Sequence, residues 1–319
     1  MIDPVLGGLL SILLLLVLIF ARVHVGLALG LSGFLGLLLV TGNTNNAMAV
    51  LTTTPYYITA VFAFAVVPLF LLMGSFAGYV GISEDIYNTG EKWLGKLPGG
   101  LAMATVGANA LFGFVCGSSV AAAAIFTKIA LPEMNKHGYS RSFSCGSIAS
   151  AGVLAMLIPP STLMILYGIL TEQSIGLIFI AGILPGFLLS ALYCIGILAT
   201  VRANPGIAPR SEAPITWKER FVSLKNVWGI AVLGIIVLGG IYAGIFTPTE
   251  AGAAGAFGSF LLALLMRKLT FKRLRDSLLD ASTTTGIIFL IIVGAQIYTK
   301  FLVFTGITGK LMAWIAATG

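Results

Sequence analysis

Charged side chains are scarce in this sequence. Asp, Glu, Lys and Arg make up 9% of its 319 residues, whereas 58% of the residues are hydrophobic and the mean hydropathy is +1.04. Soluble domains carry roughly 25% charged residues, so the composition excludes an ordinary soluble protein. The apolar residues form long continuous runs, which favour membrane-spanning helices over the alternating strands of a barrel. We therefore predict an all-α polytopic membrane protein.

Residue types that carry covalent or metal chemistry are also few. The two histidines, His24 and His137, lie far apart in the sequence and have no metal-ligand spacing around them. The three cysteines lie in apolar segments, which indicates reduced thiols and no disulfide framework. The chain contains no phosphate-binding glycine loop and no HExxH motif. These absences predict that the protein is not an enzyme and has no catalytic residue, and they leave direct use of ATP without support.

Eight apolar segments are long enough to cross about 30 Å of hydrocarbon. They are Val5–Ala21, Val25–Val40, Ile58–Val80, Phe143–Leu170, Ile175–Val201, Val227–Phe246, Ala251–Met266 and Thr285–Val303. The polar stretch from Asn43 to Tyr57 is predicted to be an outer loop. The first apolar segment follows Asp3 and no basic cluster, so we interpret it as a retained helix. A cleaved signal peptide is the less favoured alternative.

Two further apolar segments, Leu101–Val115 and Val120–Leu131, are too short to span a bilayer and flank the polar sequence 116–119. We predict that they form a re-entrant helical hairpin, which enters and leaves the membrane on one face. With this topology, sixteen of the eighteen Lys and Arg residues fall on one side of the membrane. That asymmetry places the basic side in the cytoplasm and the N-terminus in the periplasm. The net charge of +7 therefore reflects orientation and does not indicate nucleic-acid binding.

The sequence Ile158-Pro159-Pro160-Ser161 interrupts the middle of the segment Phe143–Leu170. Proline has no N–H, so the two prolines leave the carbonyls of Ala155 and Met156 without their helical partners. Non-helical backbone at membrane depth survives only where it is buried in protein or lines a polar cavity. We therefore predict a broken helix that faces the hairpin tip, an arrangement from which secondary transporters build a solute and ion site.

Both irregular stretches offer polar groups. Ser118 or Ser119 can cap the helix after the tip, and a helix N-terminus suits a carboxylate. Oxygen atoms of residues 116–118, and the carbonyls freed by the prolines, suit a small hard cation. Ser161 and Thr162 stand where the second half-helix restarts, and we expect them to cap it. Two plainer alternatives stay open: a packing contact of small residues at the tip, and a simple kink whose polar groups neighbouring helices satisfy.

Weak internal similarity suggests a repeat. The segment Phe70–Gly74 resembles Phe289–Gly294, and Gly81–Ser83 resembles Gly306–Thr308. The first unit has an odd number of predicted crossings, so the second copy is expected to be inverted. The chain stops at Gly319, where a second hairpin is expected to begin, and on this interpretation it is incomplete.

The repeat and the polar segments together predict the organisation of the chain. We expect scaffold helices of the first repeat at 1–82, an arm helix in the membrane interface at 83–97, and part of a transport domain at 98–202. That part holds the re-entrant hairpin at 98–137, the broken helix at 142–171 and a helix at 175–201. A cytoplasmic linker follows at 203–226, then scaffold helices of the second repeat at 227–305 and the start of a second arm helix at 306–319. An ordinary surface connector is the alternative for 83–97.

In this order, the motifs of the chain resemble those of the large membrane subunit of TRAP (tripartite ATP-independent periplasmic) transporters. The most specific are Gly117–Ala121, Pro132–Met134 followed by Gly138-Tyr139, and Ile158–Ser161. The resemblance implies a Na⁺-coupled symporter of inverted-repeat, elevator type in the bacterial inner membrane. It would import an organic acid such as a C4-dicarboxylate or sialic acid. The resemblance also implies two partners, a small four-helix membrane subunit and a soluble periplasmic binding protein.

The resemblance further implies that Na⁺ binds between the tip and the broken helix, mostly through backbone atoms of Cys116, Gly117, Ser118, Ala155, Ile158 and Pro160. The implied ion- and substrate-binding set is completed by Ser119, Pro159, Ser161 and Thr162, and no organic cofactor is implied. The chain departs from the family pattern at Cys116, which is usually serine, and at Ala155, which is usually glycine. Backbone ligands would tolerate both changes, whereas sulfur in place of a ligating hydroxyl would weaken Na⁺ binding.

Two other functions stay open from the sequence. A stand-alone carboxylate or ion transporter of a related superfamily would work without a binding protein. A non-transporting membrane protein would use the polar breaks only for packing or assembly. Because family members continue past the position of Gly319 with a second hairpin and a second ion site, we do not expect this chain to transport alone.

Overall fold

The computed structural model describes residues 3–209 and 216–318. Its helices, in chain order, are α1 Pro4–Phe20, α2 Val25–Thr41, α3 Thr44–Thr59, α4 Val66–Tyr79, α5 Ile82–Leu94, α6 Gly100–Cys116, α7 Ser119–Lys136, α8 Arg141–Gly152, α9 Leu154–Leu157, α10 Thr162–Leu170, α11 Ile175–Ala203, α12 Trp217–Leu224, α13 Trp228–Gly234, α14 Gly240–Tyr242, α15 Pro248–Leu265, α16 Phe271–Thr305 and α17 Ile307–Thr318. A π-helical segment, Ile235–Gly239, joins α13 to α14. Residues 210–215 of the predicted linker and Gly319 of the predicted second arm helix lie outside the described residues.

Six helical segments in the described part of the chain are long and apolar enough to cross a membrane. They are Phe62–Tyr79, Arg141–Leu170, Ile175–Ala203, Trp217–Tyr242, Pro248–Leu265 and Phe271–Thr305. The helices α1, α2 and α6 are also apolar but have 17 residues each, near the lower limit for a span. The described residues contain helices and no strand, so the prediction of an all-α polytopic membrane protein is confirmed.

Two segments differ from the prediction. The expected outer loop from Asn43 to Tyr57 is largely helical, because the Asn43 side chain accepts a hydrogen bond from the Asn45 N–H at 2.9 Å and starts α3. The last predicted span is much longer than expected, since α16 begins at Phe271 and has 35 residues. Residues 271–284 contain neither glycine nor proline, so nothing in their backbone stops the helix before it becomes apolar.

Contacts divide the chain into two compact units, of which one comprises the described residues up to Phe62 and from Thr283 onward. Its core joins α2, α3 and α16 through Leu37, Val40, Ala47, Tyr298 and Phe301. Glycines on α2 let α16 approach closely: a Cβ at Gly33 would lie 2.9 Å from the Tyr298 Cα atom. This is the small-residue packing expected between membrane helices.

The second unit runs from Ala63 to Ser282 and holds the predicted hairpin and broken helix. In it α4 packs along α15, where a Cβ at Gly255 would collide with the Met73 sulfur. On another side of α4, a Cβ at Gly74 would lie 2.9 Å from the Cys116 carbonyl oxygen. A glycine on α4 thus allows the end of α6 to lie directly against it.

The helix α5 occupies the segment predicted as an interfacial arm. Its apolar face packs on protein at Ile86, which is 1% exposed, and a Cβ at Gly90 would lie 3.3 Å from the Ala104 carbonyl oxygen of α6. The other side of α5 bonds to α12, because the Thr89 hydroxyl donates to the Ser223 carbonyl at 3.0 Å. The arm is therefore held between the first hairpin helix and the helix that follows the linker. Its placement in a membrane interface stays a prediction.

Candidate functional site

The helices α6 and α7 form a hairpin that turns at Gly117. This residue has a positive φ of 60°, a left-handed conformation in which glycine is much less strained than other residues. The two helices lie side by side below the turn, as shown by the edge-to-face contact of Phe112 and Phe126 with ring centroids 5.7 Å apart. The Ser118 hydroxyl accepts a hydrogen bond from the Ala121 N–H at 3.4 Å. The helical hairpin and its capping by Ser118 occur as predicted, whereas its entry and exit on one face of the membrane stay a prediction.

The helix opposite the hairpin is broken where the prolines predicted it. Helix α9 ends at Leu157, Ile158 and Ser161 have extended backbone, and α10 begins at Thr162. The Pro159–Pro160 peptide bond is cis. The structure adds a feature that the sequence did not predict, a further irregularity at Val153 between α8 and α9.

The hairpin tip and the broken helix meet directly. The Thr162 N–H donates to the Gly117 carbonyl at 3.3 Å. A Cβ at Gly117 would lie 3.1 Å from the Pro160 carbonyl oxygen and 3.2 Å from the Thr162 hydroxyl. One turn earlier, a Cβ at Gly113 would lie 3.1 Å from the Ala155 Cα atom. We call this contact region the tip junction; it comprises residues 113–119 and 155–162.

All ten residues proposed from the sequence lie in the tip junction. Cys116, Gly117, Ala155, Ile158, Pro159, Pro160, Ser161 and Thr162 are buried, and Ser118 and Ser119 are half-buried. The structure also brings in Gly113, which the sequence argument missed. Its position four residues before Gly117, on the same face of α6, is the signal that could have revealed it.

The polar groups of the tip junction are satisfied differently from the prediction. The Ser161 hydroxyl donates to the Met156 carbonyl, one of the two groups that the prolines release. Because its hydroxyl turns back in this way, Ser161 stands at the N-cap of α10 without making a capping bond, and its predicted capping role is wrong. The Thr162 hydroxyl is buried and has no hydrogen-bond partner among the described residues. It is therefore a buried side-chain oxygen of the junction that is free to take a ligand.

The electrostatics of the tip junction come from the backbone. None of its residues carries a charged side chain. The N-termini of α7 and α10 point positive dipole ends towards it, while α6 and α9 end there with carbonyl groups. The Cys116 thiol lies 3.5 Å from the Ser118 carbonyl oxygen and donates to it. Such a region can hold a carboxylate at the helix N-termini and a small cation at the carbonyls.

Comparison with known proteins agrees with these features. Residues 12–319 match the family described as tripartite ATP-independent periplasmic transporter, DctM component. The C4-dicarboxylate TRAP transporter large permease protein DctM of Pseudomonas aeruginosa is 34% identical over 92% of this chain and 67% of its own length. The ectoine TRAP transporter large permease protein TeaC of Halomonas elongata is 38% identical over 71% of this chain and 52% of its own length. The sialic acid TRAP transporter permease protein SiaT of Haemophilus influenzae is 31% identical over 88% of this chain and 45% of its own length. The chain thus spans about half to two thirds of the length of these relatives.

Proposed function

Because the chain belongs to the DctM family of tripartite ATP-independent periplasmic transporters, we propose that it forms the Na⁺- and substrate-binding part of an organic-acid importer. The relatives are named as permeases for C4-dicarboxylates, ectoine and sialic acid. Each of these solutes carries a carboxylate, so the proposed substrate of this chain is a small carboxylate. The observation that carries the proposal is the hydrogen bond from Thr162 to Gly117, which joins the two irregular backbones of the tip junction.

The proposed Na⁺ ligands are mainly backbone carbonyls. Cys116, Gly117 and Ser118 supply them from the tip, and Ala155, Ile158 and Pro160 from the broken helix. Na⁺ prefers oxygen, as hard cations do, and the unpaired Thr162 hydroxyl adds an oxygen between the two sides. The Cys116 thiol is engaged by the Ser118 carbonyl, so a backbone role for Cys116 fits better than a sulfur ligand. Ser161 acts by occupying the Met156 carbonyl, which positions the break.

The substrate carboxylate is proposed to bind beside the Na⁺, at the N-terminus of α7. Ser118 and Ser119 are half-buried there, so their hydroxyl and N–H groups can reach a substrate. The buried residues Cys116 and Gly117 are left to the Na⁺. A bound cation next to the anion offsets part of the cost of placing both in a low-dielectric environment. Mutual stabilisation of this kind is the proposed basis of coupling between Na⁺ and substrate.

The proposed assembly follows the family. We propose a bacterial inner-membrane location with a periplasmic N-terminus, since the basic residues then face the cytoplasm. A small four-helix membrane subunit and a periplasmic binding protein are the proposed partners, and an elevator motion of the hairpin with α8–α11 is the proposed mechanism. Uptake that requires the binding protein would distinguish this assembly from a stand-alone transporter.

The proposal is tested by uptake into proteoliposomes that contain a full-length version of the protein with its partner subunit, with binding protein and radiolabelled dicarboxylate outside. We expect uptake with an inward Na⁺ gradient and none when K⁺ replaces Na⁺. Ser118→Leu with Ser119→Leu should abolish uptake, because the larger side chains fill the substrate position. Ser190→Leu, at a half-buried serine of α11 outside the junction, is the control and should retain it. Equal uptake in K⁺, or full activity of the double variant, would overturn the ion coupling or the site, respectively.

A further inference from the structure

A second group of ligand-type side chains lies at the opposite end of the hairpin from the tip. Glu133 and His137 are four residues apart at the end of α7, and Glu91 approaches them from α5. The oxygen and nitrogen atoms that these side chains offer all lie within 4.8 Å of one another. All three residues are half-buried. The sequence argument overlooked the four-residue spacing of Glu133 and His137, and it could not bring in Glu91, which lies on a different helix.

The spacing within α7 is typical of metal ligands on a helix. Residues four apart share one helical face, and histidine and carboxylate side chains at this spacing bind zinc in many proteins. The His137 Nδ1 atom donates to the Glu133 carbonyl at 2.9 Å, which orients the ring and leaves the lone pair of a neutral imidazole on Nε2. The side chains of Glu133 and His137 are each 29% exposed, so an ion can reach them from solvent.

An independent observation indicates that a ligand is missing from this group. Tyr87 lies one turn before Glu91 on the same face of α5 and is 1% exposed, yet its hydroxyl has no hydrogen-bond partner among the described residues. The Thr105 hydroxyl lies beside it but donates to the Leu101 carbonyl. Glu91 and Glu133 are both close enough to act electrostatically on the phenol. A buried hydroxyl without a partner, within electrostatic range of two carboxylates, is what a water on a bound ion would satisfy.

The charges of the region favour a cation. Glu91 and Glu133 each bring a carboxylate to the group, with oxygen atoms that lie within 4.8 Å of each other. The main protein counter-charge is Lys136, whose Nζ atom lies 2.9 Å from Glu133 Oε2. Its side chain is 70% exposed, and exposed ion pairs contribute little to stability. A divalent ion can therefore displace this lysine at little cost.

We propose that Glu91, Glu133 and His137 bind a divalent transition-metal ion of the Zn²⁺ class, with a coordinated water that donates to the Tyr87 hydroxyl oxygen. Two carboxylates, one imidazole and one water make a four-coordinate shell. The bound ion links the arm helix α5 to the base of the hairpin. Metal occupancy would thus restrain the movement of the hairpin relative to α5, a control that is independent of the tip junction.

The proposal is tested by titrating the purified protein in detergent with Zn²⁺ alone, using calorimetry, and with Co²⁺, using the intense visible absorption of tetrahedral cobalt. We expect one site per chain and no comparable response to Mg²⁺. Removal of a partner of a metal ligand usually weakens binding by about 10–100-fold, so His137→Asn and Glu91→Gln should weaken Zn²⁺ binding by at least about tenfold. Tyr87→Phe, which keeps the ring, should weaken it less and alter the Co²⁺ spectrum.

Matched controls separate this site from adventitious binding. His24→Asn changes the other histidine of the chain, and Glu84→Gln changes an exposed carboxylate on the same arm helix. Both should bind Zn²⁺ like the parent protein. Absence of stoichiometric binding in the parent, or unchanged affinity in both His137→Asn and Glu91→Gln, would overturn the proposal. Since the readout is metal binding, failure of the uptake experiment would leave this result unaffected.

Discussion

The two ends of the same helical hairpin offer different kinds of groups to a charged ligand. At the tip junction no side chain is charged, and the polar groups are backbone carbonyls, helix N-termini and the hydroxyls of Ser118, Ser161 and Thr162. At the base, Glu91, Glu133 and His137 gather in a half-buried group. A permanent charge at membrane depth costs several kcal/mol, whereas backbone dipoles are already present in every helix. The proposed tip site would therefore release its ligands cheaply, whereas the proposed base site is suited to tighter, static binding.

The largest effect is expected from crowding the tip. Gly117→Ala places a Cβ 3.1 Å from the Pro160 carbonyl oxygen at a positive φ, which we expect to cost about 2–4 kcal/mol of unfolding free energy. Gly306→Ala is the matched control, because Gly306 also has a positive φ but a Cβ there meets nothing within 4 Å. That control should cost about 1–2 kcal/mol from backbone strain alone. Denaturant titration in mixed micelles measures both, and equal losses would show that the tip is not tightly enclosed.

A smaller effect should distinguish the two hydroxyls of the break. Ser161→Ala leaves the Met156 carbonyl without its donor, which should cost about 1–3 kcal/mol with or without Na⁺. Thr162→Val should be nearly neutral without Na⁺, because its hydroxyl has no partner among the described residues. It should, however, lose most of the rise in melting temperature that Na⁺ produces in the parent protein. If Thr162→Val retains the full Na⁺ response, this hydroxyl is not a ligand.

The smallest effect is expected at the base of the hairpin. Lys136→Ala removes the exposed ion pair with Glu133 and should leave the unfolding free energy almost unchanged. The same variant should bind Zn²⁺ at least as tightly as the parent, because the lysine competes with the ion for Glu133. Weaker Zn²⁺ binding in Lys136→Ala, measured by calorimetry, would contradict the idea that metal and lysine exchange at this position.

Much of the tip junction was predictable because its causes are local. Prolines at 159 and 160 remove two helical donors wherever they stand, and Gly117 permits the left-handed turn between α6 and α7. These two helices have 17 and 18 residues and are longer than the predicted apolar segments. The break and the hairpin accordingly occur where expected. The prediction for Ser161 was wrong because its hydroxyl can either cap α10 or donate to the freed Met156 carbonyl. The geometry of the break selects the bond to Met156.

Other features lay beyond local reasoning. The helix α3 occupies a segment that was expected to be a loop. Asparagine and threonine occur both in loops and at helix starts, and here the Asn43 side chain caps the helix. Gly113 and Gly74 matter because the backbone of another helix lies directly against each of them, where a larger residue would not fit. Glu91 meets Glu133 and His137 only because α5 packs on the hairpin.

Composition and proline placement alone were enough to establish a helical membrane protein with a turned-back hairpin and an interrupted helix, because hydrophobic length and missing N–H groups act through the chain's own backbone. Only the packing of the helices determined which oxygen atoms accept hydrogen bonds and which have no partner among the described residues. Packing also brought Glu91 close to Glu133 and His137. Those outcomes depend on distances between separate helices, and no pattern along one helix encodes such distances.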